Sequence, residues 1–157
     1  MSSEKPEIPN SLNEHWMPFS SNRDFKANPR LITEAKGVYL KNHQGQTQID
    51  ASSGLFCNPL GHGREEIINA VTNQLRKLDY AQPFQQGFGG SFELATKIAK
   101  HTPGNLNRIF YTICGSTAVE TAIKISIAYH KARGQGHRFR FVGRERAYHG
   151  MNIGATS

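Results

Sequence analysis

The stretch between residues 108 and 142 constrains the fold more than any other part of the sequence. It begins with a β-rich run at 108–113 and passes through a Cys114-Gly115 turn into a segment with the helical spacing of apolar residues. Another β-rich run follows at 139–142. Strand, glycine turn, helix and strand in this order have the length of a crossover between two parallel strands. The sequence therefore predicts an α/β fold with a parallel sheet.

Two further helices and a small sheet are predicted before this unit. Apolar residues spaced for one helical face lie between residues 64 and 79, and a second such stripe begins at Ser91, a helix-capping residue, and stops before Pro103. Between residues 31 and 50, three short β-rich runs separated by turn residues predict an antiparallel meander. Residues 1–30 contain four prolines and predict an extended arm.

Composition excludes several classes of protein. Hydrophobic residues, tyrosine included, make up 37% of the 157. With glycine counted in place of tyrosine, the apolar share lies slightly under the globular range of about 45 to 50%, which excludes a disordered or collagen-like chain. No apolar run approaches the roughly 18 residues of a membrane span, and the N-terminus lacks the apolar stretch of a secretory signal. We therefore expect a soluble, cytoplasmic protein. Cys57 and Cys114 lack the Cys-x-x-Cys spacing of zinc or redox sites, so no metal site is predicted and both thiols are expected to be reduced and buried.

The net charge of +7 is concentrated in one segment, residues 131–146, which holds six lysines and arginines against one glutamate. Within it, Arg138 and Arg140 alternate with Phe139 and Phe141, so the arginines would share one face of a strand. Such a face can bind nucleic acid, but the same alternation is what a half-buried strand requires. Of the two hypotheses we favour the solvated strand face.

The turn before the long helix is a candidate anion site. Free backbone N–H groups at the positive end of a helix dipole suit a phosphate dianion, and Gly115 allows close approach. The hydroxyls of Ser116 and Thr117 can donate further hydrogen bonds. The same residues are good helix caps, and Thr117 with Glu120 matches a capping box. The residue pattern alone favours a capped helix without a ligand over a phosphate site.

Tyr148, His149 and Gly150 follow the second predicted parallel strand, at the sheet edge where α/β proteins bind ligands. An aromatic side chain there can stack on a planar heterocycle, and glycine lets the loop turn beside it. Taken singly, Tyr148 is more often a packed surface aromatic, and His149 is more often a hydrogen-bonded loop histidine. His62, between two glycines, has the same two interpretations.

Several short stretches together resemble a known family. They are WMPF at 16–19, GLFC at 54–57 with GHG at 61–63, YAQPFQ at 80–85, the Gly115-Ser116 pair, AYHKARGQG at 128–136 and GRERAYHG at 143–150. In this order, from about Glu14 to the last residue, they resemble the N-terminal part of the class III pyridoxal-phosphate-dependent aminotransferases. The resemblance is strongest to the β-alanine (ω-amino acid):pyruvate aminotransferases.

The resemblance implies a fold-type I aminotransferase, a homodimer whose mostly parallel large domain binds pyridoxal 5'-phosphate (PLP). The predicted fold is therefore an incomplete fold-type I transferase of the α/β class. Its extended N-terminal arm covers residues 1–30, its small-domain meander and linker cover 31–63, and the first part of the large domain, truncated, covers 64–157.

By the same resemblance, the PLP phosphate binds at the turn of Gly115 and Ser116. Tyr148 stacks on the pyridine ring, and His149 belongs to the same cofactor-binding motif. Family members usually read Asn-Ser-Gly-Ser-Glu around the turn, whereas this chain has Cys114 before the glycine and Thr117 after the serine. A thiol is a poor hydrogen-bond donor, so weaker phosphate binding is expected.

The resemblance also places Phe19, Leu55 and Phe56 in the substrate pocket, and Phe84 in a loop that reaches the dimer partner's site. Phe56 stands where the most similar members carry tryptophan, so the pocket loses an indole N–H and substrate preference is expected to differ. The implied reaction moves an amino group from a small ω-amino acid or amine to pyruvate.

The family's Schiff-base lysine and the acidic partner of the pyridine nitrogen lie beyond the point that corresponds to Ser157. No lysine here has a comparable context, so we expect this chain alone to be catalytically incomplete. Two alternatives stay open. One is a non-catalytic basic module that binds phosphates or nucleic acid through residues 131–146, and the other is a chain that pairs with full-length homologues and interferes with them.

Overall fold

The computed structural model describes residues 8–156, which fall into two compact units, one ending at Ala81 and the other beginning at Gln82. The first unit contains helix α1 (Asn22–Ala27), strands β1 (Ile32–Lys36), β2 (Tyr39–Asn42) and β3 (Thr47–Ile49), and helix α2 (Glu65–Lys77). The second unit contains helices α3 (Gly89–Ala99) and α4 (Gly115–Ala132). The first seven residues of the predicted arm lie outside the described residues, and the predicted domain boundaries stay predictions.

The predicted meander is present in the first unit. Strand β2 pairs antiparallel with both β1 and β3, and Leu40 lies opposite Ala35 on one side and Gln48 on the other. The Asn42 side chain shapes the turn that follows, because its Oδ1 accepts the backbone N–H groups of Gln44 and Gln46 at 3.1 and 2.9 Å. This local hydrogen bonding is what makes asparagine a turn residue.

A backbone bridge ties the loop after β3 to the turn between β1 and β2. The Gly37 N–H donates to the His62 oxygen at 2.9 Å, and the His62 N–H donates to the Gly37 oxygen at 2.8 Å. Gly61 precedes this bridge with a φ of +84°, and a Cβ on it would lie 3.1 Å from the Gly37 oxygen. Both the backbone angle and the space require glycine there.

The arm is not extended throughout, because α1 interrupts it. The Asn22 side chain holds the start of this helix: its Oδ1 accepts the Met17 N–H and its Nδ2 donates to the Met17 oxygen, both at 2.9 Å. The Ser21 hydroxyl donates to the Asp24 carboxylate at 2.6 Å. These side-chain contacts stabilise one short helix that the prolines on either side do not prevent.

Helix α2 carries the apolar stripe predicted between residues 64 and 79. Its first turn is acidic and its last turn is basic, an order that stabilises the helix dipole. The stripe itself is only partly covered, since Ile68, Val71 and Leu75 are 46%, 53% and 58% exposed. Among the described residues, Ala155 is the buried hydrophobic side chain.

Helix α3 begins two residues before the predicted cap. The chain has already entered the helix at Gly89, and the Ser91 N–H donates to the Phe88 oxygen at 3.1 Å. The Ser91 hydroxyl also donates to that oxygen, at 2.7 Å, so it is a donor inside the first turn. The prediction that Ser91 caps this helix is wrong.

The two β-rich runs around α4 are not strands in the described part of the chain. Residues 108–113 and 139–142 have irregular backbone, and within residues 8–156 no backbone ladder joins either run to a neighbour. A strand persists only where a second strand takes up its N–H and C=O groups. The predicted parallel pair is therefore absent here, while the helix between the two runs is present.

Both cysteines are free, as predicted, but they are exposed rather than buried. Cys57 lies in the turn after exposed Leu55 and Phe56, and Cys114 is the N-cap of α4, so neither belongs to a core. Within residues 8–156, every helix is too short or too polar to cross a bilayer.

We expect Gly61→Ala to loosen the bridge between Gly37 and His62. The new Cβ would crowd the Gly37 oxygen, and alanine at a φ of +84° adds backbone strain of about 1 to 2 kcal/mol. Amide hydrogen exchange of Gly37 and His62 should accelerate by about tenfold or more.

Gly45→Ala is the matched control, because Gly45 has a φ of +80° and an added Cβ would meet no atom within 4 Å. Its effect should stay within the β2–β3 turn. Equal exchange at His62 in both variants would show that close packing at Gly61 does not hold the bridge.

Candidate functional site

The backbone N–H groups at the N-terminus of α4 are not capped by a side chain among the described residues. The helix runs for 18 residues from Gly115, with Cys114 as its N-cap. A Cβ on Gly115 would meet no atom within 4 Å in that part of the chain. The leading N–H groups and the positive end of the helix dipole are therefore open to an anion.

Gly150 packs directly against this helix end. A Cβ on Gly150 would lie 2.9 Å from Ser116 Cα and 3.0 Å from Ser116 Oγ, closer than side chains approach in folded proteins. Gly150 also has a φ of +134°, which L-residues rarely adopt. Only glycine meets both conditions, so the close packing of this loop on the helix end requires glycine at position 150.

Two hydrogen bonds fasten the segment after Gly150 to α4. The Met151 N–H donates to Ser116 Oγ at 3.1 Å, and the Gly154 N–H donates to Glu120 Oε2 at 3.0 Å. The predicted capping box of Thr117 and Glu120 is therefore wrong. The Glu120 carboxylate accepts from a residue 34 positions further along the chain.

Of the four predicted cofactor residues, Gly115 and Ser116 begin α4, and Tyr148 and His149 directly precede Gly150, which packs against Ser116. Tyr148 precedes Gly150 by two positions, so their Cα atoms are at most about 7 Å apart. The Tyr148 side chain is 73% exposed, and His149 is exposed as well. Ser116 Oγ accepts from the Met151 N–H, which leaves its hydroxyl hydrogen to donate. A hydroxyl donor, a helix N-terminus and an open aromatic ring suit an anion attached to a planar ring.

Cys114 and Thr117, the two departures from the family pattern, contact each other. The Cys114 Sγ lies 3.3 Å from Thr117 Oγ1. The Thr117 hydroxyl and then the backbone N–H groups of Thr117 and Ser116 lower the pKa of the Cys114 thiol below its ordinary value. The helix end thus favours negative charge at the sulfur, as it would on a bound phosphate.

The predicted substrate residues of the first unit have strained backbone. Residues 53–56 form a left-handed turn with φ values of +51°, +58°, +55° and +67°, and Gly54 is its one glycine. Phe19 also has a positive φ, +51°. Each non-glycine residue in this region costs about 1 to 2 kcal/mol, and such strain clusters at functional sites. Leu55 and Phe56 are nevertheless 75% and 85% exposed.

His62 is a hydrogen-bonded histidine within the first unit. Its Nε2 lies 3.0 Å from Asp50 Oδ2, and its Nδ1 lies 2.8 Å from the Asn58 amide nitrogen. An amide nitrogen can only donate, so Nδ1 accepts and the ring proton on Nε2 donates to Asp50. Of the two interpretations of His62, the structure supports the hydrogen-bonded loop residue.

The Asp50 carboxylate collects several donors. The backbone N–H of Gly54 and then His62 lower the pKa of Asp50 below its ordinary value near 3.8, and Ser52 adds to this. Both the Ser52 N–H and the Ser52 hydroxyl reach Asp50 Oδ1, at 3.3 and 3.2 Å. The charged form of Asp50 therefore holds the start of the 53–56 turn.

For Phe84 and for the basic segment, residues 131–146, the structure shows only local features. Phe84 is 79% exposed. In the basic segment, the Arg133 guanidinium lies 5.4 Å from the centroid of the Tyr129 ring. Because residues 139–142 do not form a strand, no strand face gathers Arg138 and Arg140 among the described residues.

The sequence did not predict Asp50 and Asn58 as residues of these sites, and it did not predict that Glu120 tethers the segment after Gly150. Asn58 and His62 are four positions apart, but the loop between them has no periodicity that would single them out. Asp50 follows a predicted strand and reads as an ordinary turn residue. Their roles come from contacts that no local pattern encodes.

Comparison with known proteins identifies the family. The model of the class-III aminotransferases matches residues 20–157. The chain belongs to the class-III aminotransferase family.

Three relatives illustrate the match. The omega-amino acid–pyruvate aminotransferase of Pseudomonas putida is 47% identical over 146 residues, which are 93% of this chain and 32% of that protein. The beta-alanine–pyruvate aminotransferase of Pseudomonas aeruginosa is 46% identical over 147 residues, 94% of this chain and 33% of that protein. The solved omega transaminase of Pseudomonas jessenii in complex with PMP superposes with a TM-score of 0.84 at 28% identity, over 88% of this chain and 31% of that one.

The chain thus spans about a third of the length of the curated relatives it matches. These findings confirm the predicted family and the predicted partial fold-type I architecture. The family implies PLP as cofactor, and the donor set at the α4 N-terminus fits a phosphate. Gly115 leaves the backbone open, Ser116 has a hydroxyl hydrogen to donate, and Gly150 carries the Tyr148 loop to the same helix end.

We expect Gly150→Ala to detach the Tyr148 loop from α4. The methyl group would clash with Ser116, so the Met151 N–H loses its bond to Ser116 Oγ and its amide hydrogen exchange rises by about tenfold or more. Gly104→Ala is the control, since Gly104 also has a positive φ, +59°, but an added Cβ would meet nothing within 4 Å. Unchanged exchange at Met151 in Gly150→Ala would contradict the close packing.

A second prediction concerns stability in acid. Because the folded-state pKa of Asp50 is lowered, its carboxylate contributes stability above its unfolded pKa near 3.8 and loses that contribution as pH falls through the folded pKa. Asp50→Asn should therefore be less stable than the unmodified chain at pH 7, and the difference should shrink below about pH 4. Urea unfolding across this pH range measures it, with exposed Glu145→Gln as control. A difference that is constant with pH would contradict the assignment.

Proposed function

We propose that this chain forms the cofactor-binding N-terminal part of a PLP-dependent aminotransferase. The reaction transfers an amino group from a β-alanine-like ω-amino acid or amine to pyruvate. The observation that carries the proposal is the contact of Gly150 with Ser116, which joins an aromatic loop to an electropositive helix end. The names of the two Pseudomonas relatives supply the substrate class.

The phosphate is proposed to bind at Gly115 and Ser116. The dipole of α4 contributes about 0.3 to 1 kcal/mol to an anion at its end, so several N–H and hydroxyl donors are needed to hold it. Tyr148 would stack on the pyridine ring, and His149 would border it. When bound, PLP supplies an electron sink for the negative charge that forms as the amino donor loses a proton.

The substrate side is proposed to involve Phe19, Leu55 and Phe56. Their left-handed backbone presents largely exposed apolar side chains, which suit the hydrocarbon part of an amino donor. Phe84 is proposed to act across a homodimer, at the partner's site.

The proposal assigns no lysine of residues 1–157 to covalent attachment of PLP. The phosphate and ring contacts hold the cofactor, but a lysine amine is required to form the Schiff base that exchanges with the substrate amine. The 157-residue chain alone is therefore proposed to be catalytically incomplete. Activity is to be sought in the complete gene product.

The test measures PLP retention and alanine formation. The complete gene product should purify with visible-range PLP absorbance and form alanine from pyruvate when β-alanine is supplied. Ser116→Ala and Tyr148→Ala should each weaken PLP binding by about tenfold, because one loses a charge-assisted hydrogen bond and the other loses ring stacking. Equilibrium dialysis against PLP gives the dissociation constants.

Two controls separate these roles from general damage. Ser126→Ala removes a hydroxyl on the same helix that donates to the Ala122 oxygen at 2.8 Å, and it should leave PLP binding unchanged. Tyr148→Phe keeps the ring and should bind PLP nearly as well as the unmodified protein. A product that ignores PLP but elutes from heparin in a salt-dependent way would favour the basic-module alternative instead.

A further inference from the structure

The left-handed turn at residues 53–56 requires stabilising interactions with residues outside the turn. Its four residues keep φ between +51° and +67°, and three of them carry side chains that disfavour this region. Leu55 and Phe56 are 75% and 85% exposed, so packing of their own side chains contributes little to the turn. Its conformation must therefore depend on hydrogen bonds.

Asp50, Asn58 and His62 provide bonds that span the turn. His62 donates from Nε2 to Asp50 before the turn at 3.0 Å, and it accepts at Nδ1 from Asn58 after the turn at 2.8 Å. The Asp50 side chain is 6% exposed and that of His62 is 24% exposed, so water competes weakly for these bonds. One imidazole ring thus connects the residue that enters the turn with one that leaves it.

The sheet anchors both ends of this connection. The Asp50 N–H donates to the Val38 oxygen at 2.8 Å, and His62 exchanges two backbone hydrogen bonds with Gly37 at 2.8 and 2.9 Å. Inside the turn, the Phe56 N–H donates to the Ser52 oxygen at 3.0 Å and the Asn58 N–H donates to the Ser53 oxygen at 2.8 Å. The meander is therefore the rigid base on which the turn is held.

We propose that His62, with Asp50 and Asn58, is a positioning residue that fixes the 53–56 turn and thereby the amino-donor contacts of Leu55 and Phe56. The substrate part of this inference rests on the proposed aminotransferase function. Side chains that contact the unreacting part of a donor bind ground state and transition state alike. Loss of the His62 connection therefore raises KM for the donor and leaves kcat nearly unchanged.

Hydrogen exchange of the complete gene product tests the hold on the turn without reference to activity. In His62→Phe, which keeps an aromatic ring but removes both bonds, exchange of the Phe56 and Asn58 amides should rise by about tenfold, while the β2 amides stay within about twofold. Asn58→Ala removes one bond only and should act in the same direction by a few-fold. His62→Gln restores a donor toward Asp50 and should recover part of the protection.

His101→Phe is the matched control, since His101 is exposed and its ring has no hydrogen-bond partner among the described residues. A double variant of His62→Phe and Asn58→Ala should resemble His62→Phe alone, because both changes break one network. If exchange in the turn is unchanged, or if it rises equally in β2, the proposal is overturned, since the ring then holds nothing or holds the whole meander.

Steady-state kinetics tests the substrate part. His62→Phe should raise KM for β-alanine by about tenfold, with kcat within about twofold and PLP absorbance retained. The KM of His62→Gln should lie between those of His62→Phe and the unmodified protein. A fall in kcat at unchanged KM would overturn the positioning role. If the unmodified gene product has no aminotransferase activity, the proposed function fails, whereas the exchange experiment still decides whether His62 holds the turn.

Discussion

The candidate cofactor site depends on one steric constraint, the contact of Gly150 with Ser116. It joins segments 35 residues apart through the bond from Met151 to Ser116, and a single hydrogen bond of this kind contributes only about 1 kcal/mol to stability. The fit is possible because glycine has no Cβ at a point where one would lie 2.9 Å from backbone. Under the proposed function, the aromatic ring of Tyr148 and the phosphate donors of Gly115 and Ser116 would then serve one cofactor, and the bond from Gly154 to Glu120 is a second tether of the same segment.

Positive φ has different consequences at Gly150 and at Leu55 and Phe56. In the second unit, glycine takes the left-handed position at Gly150, which lets backbone meet backbone. In the first unit, Leu55 and Phe56 hold such angles themselves, and they retain large exposed apolar side chains at the cost of strain. Glycine there would relieve the strain but would delete the two side chains that are proposed to contact the amino donor. The hydrogen bonds of His62 with Asp50 and Asn58 offset this backbone strain, because exposed side chains cannot stabilise the turn by burial.

Elements set by local periodicity were predictable, and those set by distant partners were not. The apolar spacing of α2 and α4 and the turn chemistry of Asn42 are encoded within a few residues, so the helices and the meander were found. The predicted capping box was wrong because the Glu120 carboxylate accepts the Gly154 N–H instead. The predicted parallel strands were wrong because a strand requires a neighbouring strand to take up its hydrogen bonds. The phosphate turn at Gly115 and Ser116 stays a prediction that rests on the family resemblance, since the residue pattern alone favoured a capped helix without a ligand. The connection among Asp50, Asn58 and His62 escaped because its members share no spacing.

The departures at Cys114 and Thr117 act together rather than singly. In the family pattern the turn carries a serine hydroxyl and a glutamate carboxylate, whereas here a thiol and a hydroxyl lie 3.3 Å apart. The N–H groups of Ser116 and Thr117 that help lower the pKa of the thiol lie at the helix end where the phosphate is proposed to bind. Under that proposal, the Ser116 hydroxyl is the donor that these two departures leave unchanged, because it accepts from the Met151 N–H and keeps its own hydrogen to donate.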